Sequence, residues 1–197
     1  MAKIYLLRHA RVDANMQNRL CGWSDPETSL KGLKELRSLM LPKADITFCS
    51  PMSRCRATAD ALGIRKYTIS ELLKEVNFGA WEMQSFDELY KKCPESVETY
   101  LSSPYEFRFP EGESIDDVRE RVKSFISEVL EPHLQNGKDI LIIGHSGSLR
   151  LLLMELMGLD MAFFWKIGIE PAALTAMRYQ TESSGLHFFL ERMNCQR

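Results

Sequence analysis

Two apolar runs that read as strands each end in histidine, Lys3-Ile4-Tyr5-Leu6-Leu7-Arg8-His9 near one end of the chain and Asp139-Ile140-Leu141-Ile142-Ile143-Gly144-His145 near the other. In an α/β sheet the carboxyl ends of parallel strands open onto the ligand crevice, so two such termini can share one site although most of the sequence lies between them. This pairing predicts two imidazoles at one sheet edge. Because the first histidine follows an arginine, it also points toward phosphate.

The segments between the runs supply the elements such a sheet needs. Residues 10–28 have no sustained period and read as a loop able to fold over the His9 end. Ser29 is a suitable N-cap for a helix with Leu30, Leu33, Leu36, Leu39 and Met40 on one side. A short buried strand over 46–49 precedes Ser50-Pro51, where serine is expected to cap and proline to occupy the first turn of a helix reaching Ala61. Residues 66–70 offer another strand and 71–83 read as irregular. Over 84–110, helix-compatible pieces are broken by Pro94, Pro104 and Pro110 and carry many aromatics, the pattern of an insertion or lid.

Ser114 to Leu130 repeats apolar residues at helical spacing behind Asp116 and Asp117, and Pro132 is expected to end it. The strand ending in His145 leads into a helix built on Leu149, Leu152, Leu153, Leu156 and Met157, with Gly158 as its stop. Runs near 172–180 and 186–192, joined through Glu182-Ser183-Ser184-Gly185, predict a closing hairpin at one sheet edge. The expected architecture is a single three-layer α/β/α domain over residues 1–197, with a mostly parallel central sheet, an antiparallel edge strand and a helical lid insertion at about 84–110.

A phosphate monoester is best held by cationic donors, and the planar guanidinium of arginine engages two oxygens at once. Arg8, at a strand end, and Arg54, in the first turns of a helix, are the candidates, with Ser146 in a similar strand-to-helix position. A lone arginine in either place would more often be a solvating surface group. Histidine can attack phosphorus and split one displacement into two easier ones. His9 is the candidate nucleophile through an unprotonated nitrogen, and His145 the second imidazole, held protonated by a dianion so that it donates to it. His133 and His187 lack such a setting and read as structural or exposed. The departing alkoxide needs a proton, and a carboxylic acid among Glu71, Glu75 and Glu82 is available for that role, a choice that pattern alone leaves open.

Arg8-His9-Ala10, the loop residues Asn15, Arg19 and Gly22, Ser50-Pro51-Met52-Ser53-Arg54 with Thr58-Ala59, Pro110-Glu111-Gly112-Glu113-Ser114 and Gly144-His145-Ser146-Gly147 together resemble the histidine phosphatase, or phosphoglycerate mutase-like, superfamily. Each motif is weak alone; their order and separation are specific. The resemblance implies His9 as phosphorylated nucleophile, Arg8, Arg54 and His145 as phosphate ligands, Asn15 in support, and Glu75 as proton donor and later base. Gly22 and Ser146 join the expected substrate-binding set, and no metal or cofactor is implied. Ala10 stands where glycine is commonest, and Met83 where the family usually has glycine after Trp-Glu. The latter segment resembles some α-ribazole phosphatases, and the Asn77-Phe78-Gly79 context is more like phosphatases than glycolytic mutases. Aromatics over 86–109 would suit a flat nucleoside-like base or serve as ordinary packing.

The function expected is hydrolysis of a small phosphorylated metabolite, with α-ribazole 5′-phosphate as the specific candidate and a mutase or a silent phospholigand-binding module as rivals. A net charge of −2 offers no global attraction for nucleic acid or anionic membrane. Five cysteines without CxxC spacing, no HxH or HxxxH cluster and no long apolar run point to reduced thiols, no metal and no membrane span. A cytoplasmic protein is expected; its oligomeric state is not legible.

Overall fold

The computed structural model describes residues 1–196. Six strands, β1 (Ala2–Arg8), β2 (Ile46–Cys49), β3 (Thr68–Ile69), β4 (Ile140–Gly144), β5 (Leu174–Glu182) and β6 (Gly185–Cys195), form one sheet in the order β3-β2-β4-β1-β5-β6. The first four in that order pair in parallel, and β5 pairs antiparallel with β1 and with β6. The expected antiparallel edge is therefore a two-strand hairpin whose turn falls at Glu182–Gly185. Arg8 lies opposite Gly144 across the parallel β1–β4 pair, so the two histidine-bearing ends finish level with one another.

The apolar runs are continuous because both faces of these strands are covered, the usual condition of a parallel sheet. Ile4, Leu6, Ile140 and Ile142 face one core together with residues of two helices, α6 (Ile115–Ser124) and α8 (Ser146–Met157). Leu7, Leu141 and Ile143 face the other, closed by Cys55 and Ala59 of α3 (Ser53–Ala61). Each such side chain, once fully buried, contributes about 1.5–3 kcal/mol. Three layers follow directly from this alternation.

Three expectations about helices are corrected. The helix capped by Ser29 runs only from Leu30 to Glu35 before tightening into a 3-10 turn over Leu36–Ser38, and Leu39 is extended. Leu30 and Met40 consequently stay exposed. Pro42 disfavours helical geometry at the residue before it, which fits this early stop. Ser50 does not cap α3; the residue before that helix is Met52, and the Ser50 hydroxyl turns to His145 instead. Pro132 does not end the helix that begins at Ile115. After Ser124 the chain widens into a π-turn over Phe125–Leu130, then continues through Glu131–Gln135. Proline lacks the N–H an α-turn would use and its ring crowds the preceding turn, so a local change of helical register accommodates it.

The 84–110 segment contains two helices, Phe86–Lys92 and Pro94–Ser102. Three of its aromatics pack against the residues before it: Tyr100, Phe107 and Phe109 surround Trp81 with centroids 5.2–5.9 Å away.

Candidate active site

At the carboxyl end of β1, the His9 amide donates to the Gly144 carbonyl (3.0 Å). That bond extends the parallel ladder by one residue and draws the histidines together, with ring centroids 5.1 Å apart. Arg8, His9, Arg54, Glu75, His145 and Ser146 converge around this point. Glu71 and Glu82 do not take Glu75's place. Glu71 is exposed and pairs with Lys74.

His9 is 3% exposed, and its Nδ1 lies 2.7 Å from the Ala10 carbonyl oxygen. A carbonyl only accepts, so Nδ1 carries the proton and Nε2 keeps a free lone pair. Burial first, and then the charges of Arg54 and Arg8, hold the pKa of His9 well below its ordinary 6.5. The neutral, nucleophilic form is thus the resting one.

His145 is fully buried and has the opposite tautomer. Arg54 Nε donates to its Nδ1 (3.2 Å), so the proton sits on Nε2 and is directed to Ser50 Oγ (2.8 Å). Burial, Arg54 and His9 depress its pKa well below 6.5. The expected protonated second imidazole is therefore not the resting form, and His145 would donate to a bound dianion only if its bond to Arg54 or to Ser50 were exchanged.

Arg54 has no solvent exposure. Besides His145 it donates to the Ser24 carbonyl (2.9 Å), Asp25 Oδ1 (3.3 Å) and the Gly22 carbonyl (2.6 Å). A guanidinium has five N–H donors, so one hydrogen, on Nη2, is left for a ligand. Arg8 is less committed: Nη1 donates to the Ile169 carbonyl, while its buried Nε has no hydrogen-bond partner among the described residues. An orphaned buried donor of this kind is costly unless an acceptor reaches it, and a phosphoryl oxygen is such an acceptor.

Glu75 is 7% exposed and lies across the N-terminus of α8. Its oxygens accept from Gly147 N (3.0 and 3.1 Å) and Ser148 N (3.3 Å). This approach requires glycine at 147, where a Cβ would stand 2.5 Å from Glu75 Oε1. Arg121 fixes the backbone from below, donating to the carbonyls of Leu72, Lys74 and Glu75 while its Nε donates to Glu113.

Asn15 uses Oδ1 to accept from Val12 N (3.3 Å) within the short helix Asp13–Met16, which leaves its amide hydrogens for a ligand. Gly22 acts through neighbours: its carbonyl holds Arg54 and its amide donates to Glu82 Oε2 (3.0 Å). A Cβ there would lie 1.9 Å from the Val76 carbonyl oxygen. Ser146 opens α8 at the rim of a cavity of about 200 Å³, which is also lined by Glu75, Gly147, Arg150 and the aromatics Phe86, Tyr100, Phe164 and Trp165. A larger cleft, about 690 Å³, lies between Lys3, Tyr5, Leu39–Pro42 and the β5–β6 hairpin, and contains none of the site residues.

Sequence reasoning missed Gly147, Arg121 and Glu82 as supports. Glu82 accepts from the amides of Gly22, Trp23, Ser24 and Phe78, fastening the loop whose carbonyls hold Arg54. The motif residue Glu113 is similarly explained by its bonds to Arg121 and to the Asn77 amide. No local pattern announces most of these contacts, since Gly147–Glu75, Glu82–Gly22 and Arg121–Lys74 join residues distant in the chain.

Two histidines of opposite tautomer lie beside the fully buried Arg54 and the partly buried Arg8. The family model described as "Histidine phosphatase superfamily (branch 1)" matches residues 4–193. This chain belongs to that superfamily. Phosphoserine phosphatase 1 of Hydrogenobacter thermophilus is 29% identical to it over 189 residues, covering 91% of this chain and 88% of that one. Phosphoglycerate mutase of Schizosaccharomyces pombe is 35% identical over 170 residues, covering 79% and 80%. Among solved structures, the alpha-ribazole phosphatase from Shigella flexneri superposes with a TM-score of 0.83 at 24% identity, over 98% of this chain and 96% of that one.

The two departures from the family pattern have different consequences. Ala10 is buried, is not among the residues with positive φ, and packs with Leu36 and Ala172. Met83 adopts φ of +60°, the left-handed region that favours glycine. No helix among the described residues is long and apolar enough to cross a membrane, and no group of three or more His, Cys, Asp or Glu among them is placed to hold a metal.

Proposed function

We propose that this superfamily member hydrolyses small phosphate monoesters through a phosphohistidine intermediate. The observation that carries the reading is the His9 tautomer: Nδ1 is tied to the Ala10 carbonyl, and Nε2 is unprotonated beside Arg8 and Arg54. In the first step His9 Nε2 bonds to phosphorus as the ester P–O bond breaks. Protonated Glu75 gives its proton to the departing alkoxide. In the second, the Glu75 carboxylate takes a proton from water as the resulting hydroxide attacks phosphorus and the P–N bond breaks, returning His9. The free donors of Arg8 and Arg54 supply the charge stabilisation, so the mechanism needs no metal or cofactor.

α-Ribazole 5′-phosphate is the specific candidate carried forward from the sequence. The likeness to an alpha-ribazole phosphatase and the aromatic cavity wall support a flat leaving group. The phosphoserine phosphatase relative supports a smaller alcohol. A mutase that returns the phosphoryl group to substrate is the second reading, favoured by the fission-yeast relative. A reducing, cytoplasmic setting fits five unpaired cysteines, two of them buried.

The test is phosphate release from a panel of monoesters, including α-ribazole 5′-phosphate, with excess chelator and no bisphosphate primer. Hydrolysis is expected under these conditions, abolished in a folded His9→Ala variant. Dependence on a primer would favour the mutase, and restoration only by a divalent cation would overturn the metal-free mechanism.

A further inference from the structure

The Thr58-Ala59 motif has no part in the steps above. Thr58 is fully buried in α3, one turn beyond Arg54. Its hydroxyl donates back to the Arg54 carbonyl (2.7 Å), a bond open to threonine inside a helix. A hydroxyl has one hydrogen, so the same oxygen meets the Ala10 amide (2.9 Å) as an acceptor. The direction of both bonds is thereby fixed, and one side chain joins the helix of Arg54 to the backbone next to His9.

Ala10 is the residue whose carbonyl receives the His9 Nδ1 proton. It lies just beyond the sheet. The β1–β4 pairing ends with Arg8 opposite Gly144, the His9 amide takes the Gly144 carbonyl, and the carbonyls of Arg8 and His9 are met by the Ala172 amide (3.2 and 3.3 Å). For the Ala10 amide, the Thr58 hydroxyl is the one acceptor among the described residues. The Ala10 methyl packs with Leu36 and Ala172, but apolar contact has no direction. Holding the amide restrains the two backbone dihedrals that decide where the Ala10 carbonyl points. We infer that Thr58 is a positioning residue for the nucleophile: it aims the Ala10 carbonyl at His9 Nδ1 and so keeps the Nε2 lone pair available to phosphorus.

The inference rests on the phosphohistidine reading and adds a residue that acts only through His9. The competing role is structural, satisfaction of a buried amide. Losing that bond would destabilise the fold and leave the His9 ring as it was. Thr58→Val separates the two, because it keeps the branched shape and removes the hydroxyl. The Arg54 carbonyl retains its ordinary helical partner, the amide of residue 58, so the loss falls on Ala10.

The test is ¹⁵N NMR of histidine-labelled protein, with the His9 signals identified by their loss in His9→Ala; it reads the tautomer without turnover. Wild-type protein is expected to carry the His9 proton on Nδ1, and Thr58→Val to shift the population toward the Nε2-protonated form. In Thr58→Val, kcat for p-nitrophenyl phosphate should fall by about 10- to 100-fold, the scale of a misplaced reacting group. Inhibition by inorganic phosphate, which Arg8 and Arg54 would hold, should be unchanged. Thr58→Ser restores the hydroxyl and should keep the wild-type tautomer and kcat, a comparison that stands even where Thr58→Val does not fold. A wild-type tautomer or kcat in folded Thr58→Val, loss of either in Thr58→Ser, or a matching loss of phosphate inhibition overturns the inference. Failure of the wild-type protein to turn over any ester would instead overturn the phosphatase reading, whatever the tautomer.

Discussion

Arg54 Nε donates to His145 Nδ1 at 3.2 Å, and this bond decides which nitrogen of His145 holds its proton. The opposite choice is made for His9 by the Ala10 carbonyl. Two chemically identical side chains thereby receive different capacities: His9 presents a lone pair, and His145 is locked between Arg54 and Ser50. The difference arises from one backbone acceptor and one permanent side-chain donor, not from the histidines' positions at the strand ends.

Acidification is expected to destabilise the fold. Both histidines have folded-state pKa values well below the ordinary 6.5, so the unfolded chain binds protons that the folded chain refuses. Their contribution is fully present above about pH 6.5 and is lost as pH falls toward the depressed folded values, by at most about 2.7 kcal/mol per pH unit for two groups. Denaturant melts between neutral and mildly acidic pH measure this slope. His145→Asn should reduce it by about half; an unchanged slope would contradict the assignment of a buried neutral imidazole.

Gly147→Ala is expected to damage proton transfer more than phosphate binding. The added methyl would lie 2.5 Å from Glu75 Oε1, so the carboxylate must move. General acid catalysis is commonly worth about 10²- to 10⁴-fold, and poor leaving groups depend on it most. Steady-state kinetics should show kcat/KM for an alkyl phosphate falling at least about 10-fold further than for p-nitrophenyl phosphate, as in Glu75→Gln. Equal losses on the two esters would remove Glu75 from the acid role.

Met83→Gly should stabilise the protein. A left-handed backbone costs a residue with a side chain about 1–2 kcal/mol, partly offset by the greater unfolded-state freedom of glycine. A gain of up to about 1 kcal/mol is expected from chemical denaturation. A clear loss would mean that the half-buried Met83 side chain contributes more packing than its backbone strain removes.

Local pattern was enough to read β1 and β4, because a fully covered strand is apolar on both faces, and enough to read the β5–β6 hairpin from its turn residues. The cap at Ser29 was legible for the same reason: capping is local chemistry. Ser50 was misread because a serine before proline looks like a cap, while its bond to His145 joins residues from different strands. Pro132 was misread because a π-turn absorbs what an α-helix would not. The histidine pair was visible from strand ends, whereas the choice of Glu75 over its neighbours needed the resemblance. Its physical basis, a carboxylate resting on the Gly147 and Ser148 amides, exists only once β4, α8 and the 71–83 segment have folded together.

The most direct test of the account is rapid-quench peptide mapping after mixing enzyme with p-nitrophenyl phosphate and stopping at alkaline pH, where phosphohistidine survives. The phosphoryl group is predicted on the peptide carrying His9 within the first turnover, on the imidazole and not on any other side chain, and absent from His9→Ala. Release of phosphate without labelling of His9 on that timescale would contradict a covalent mechanism at this residue.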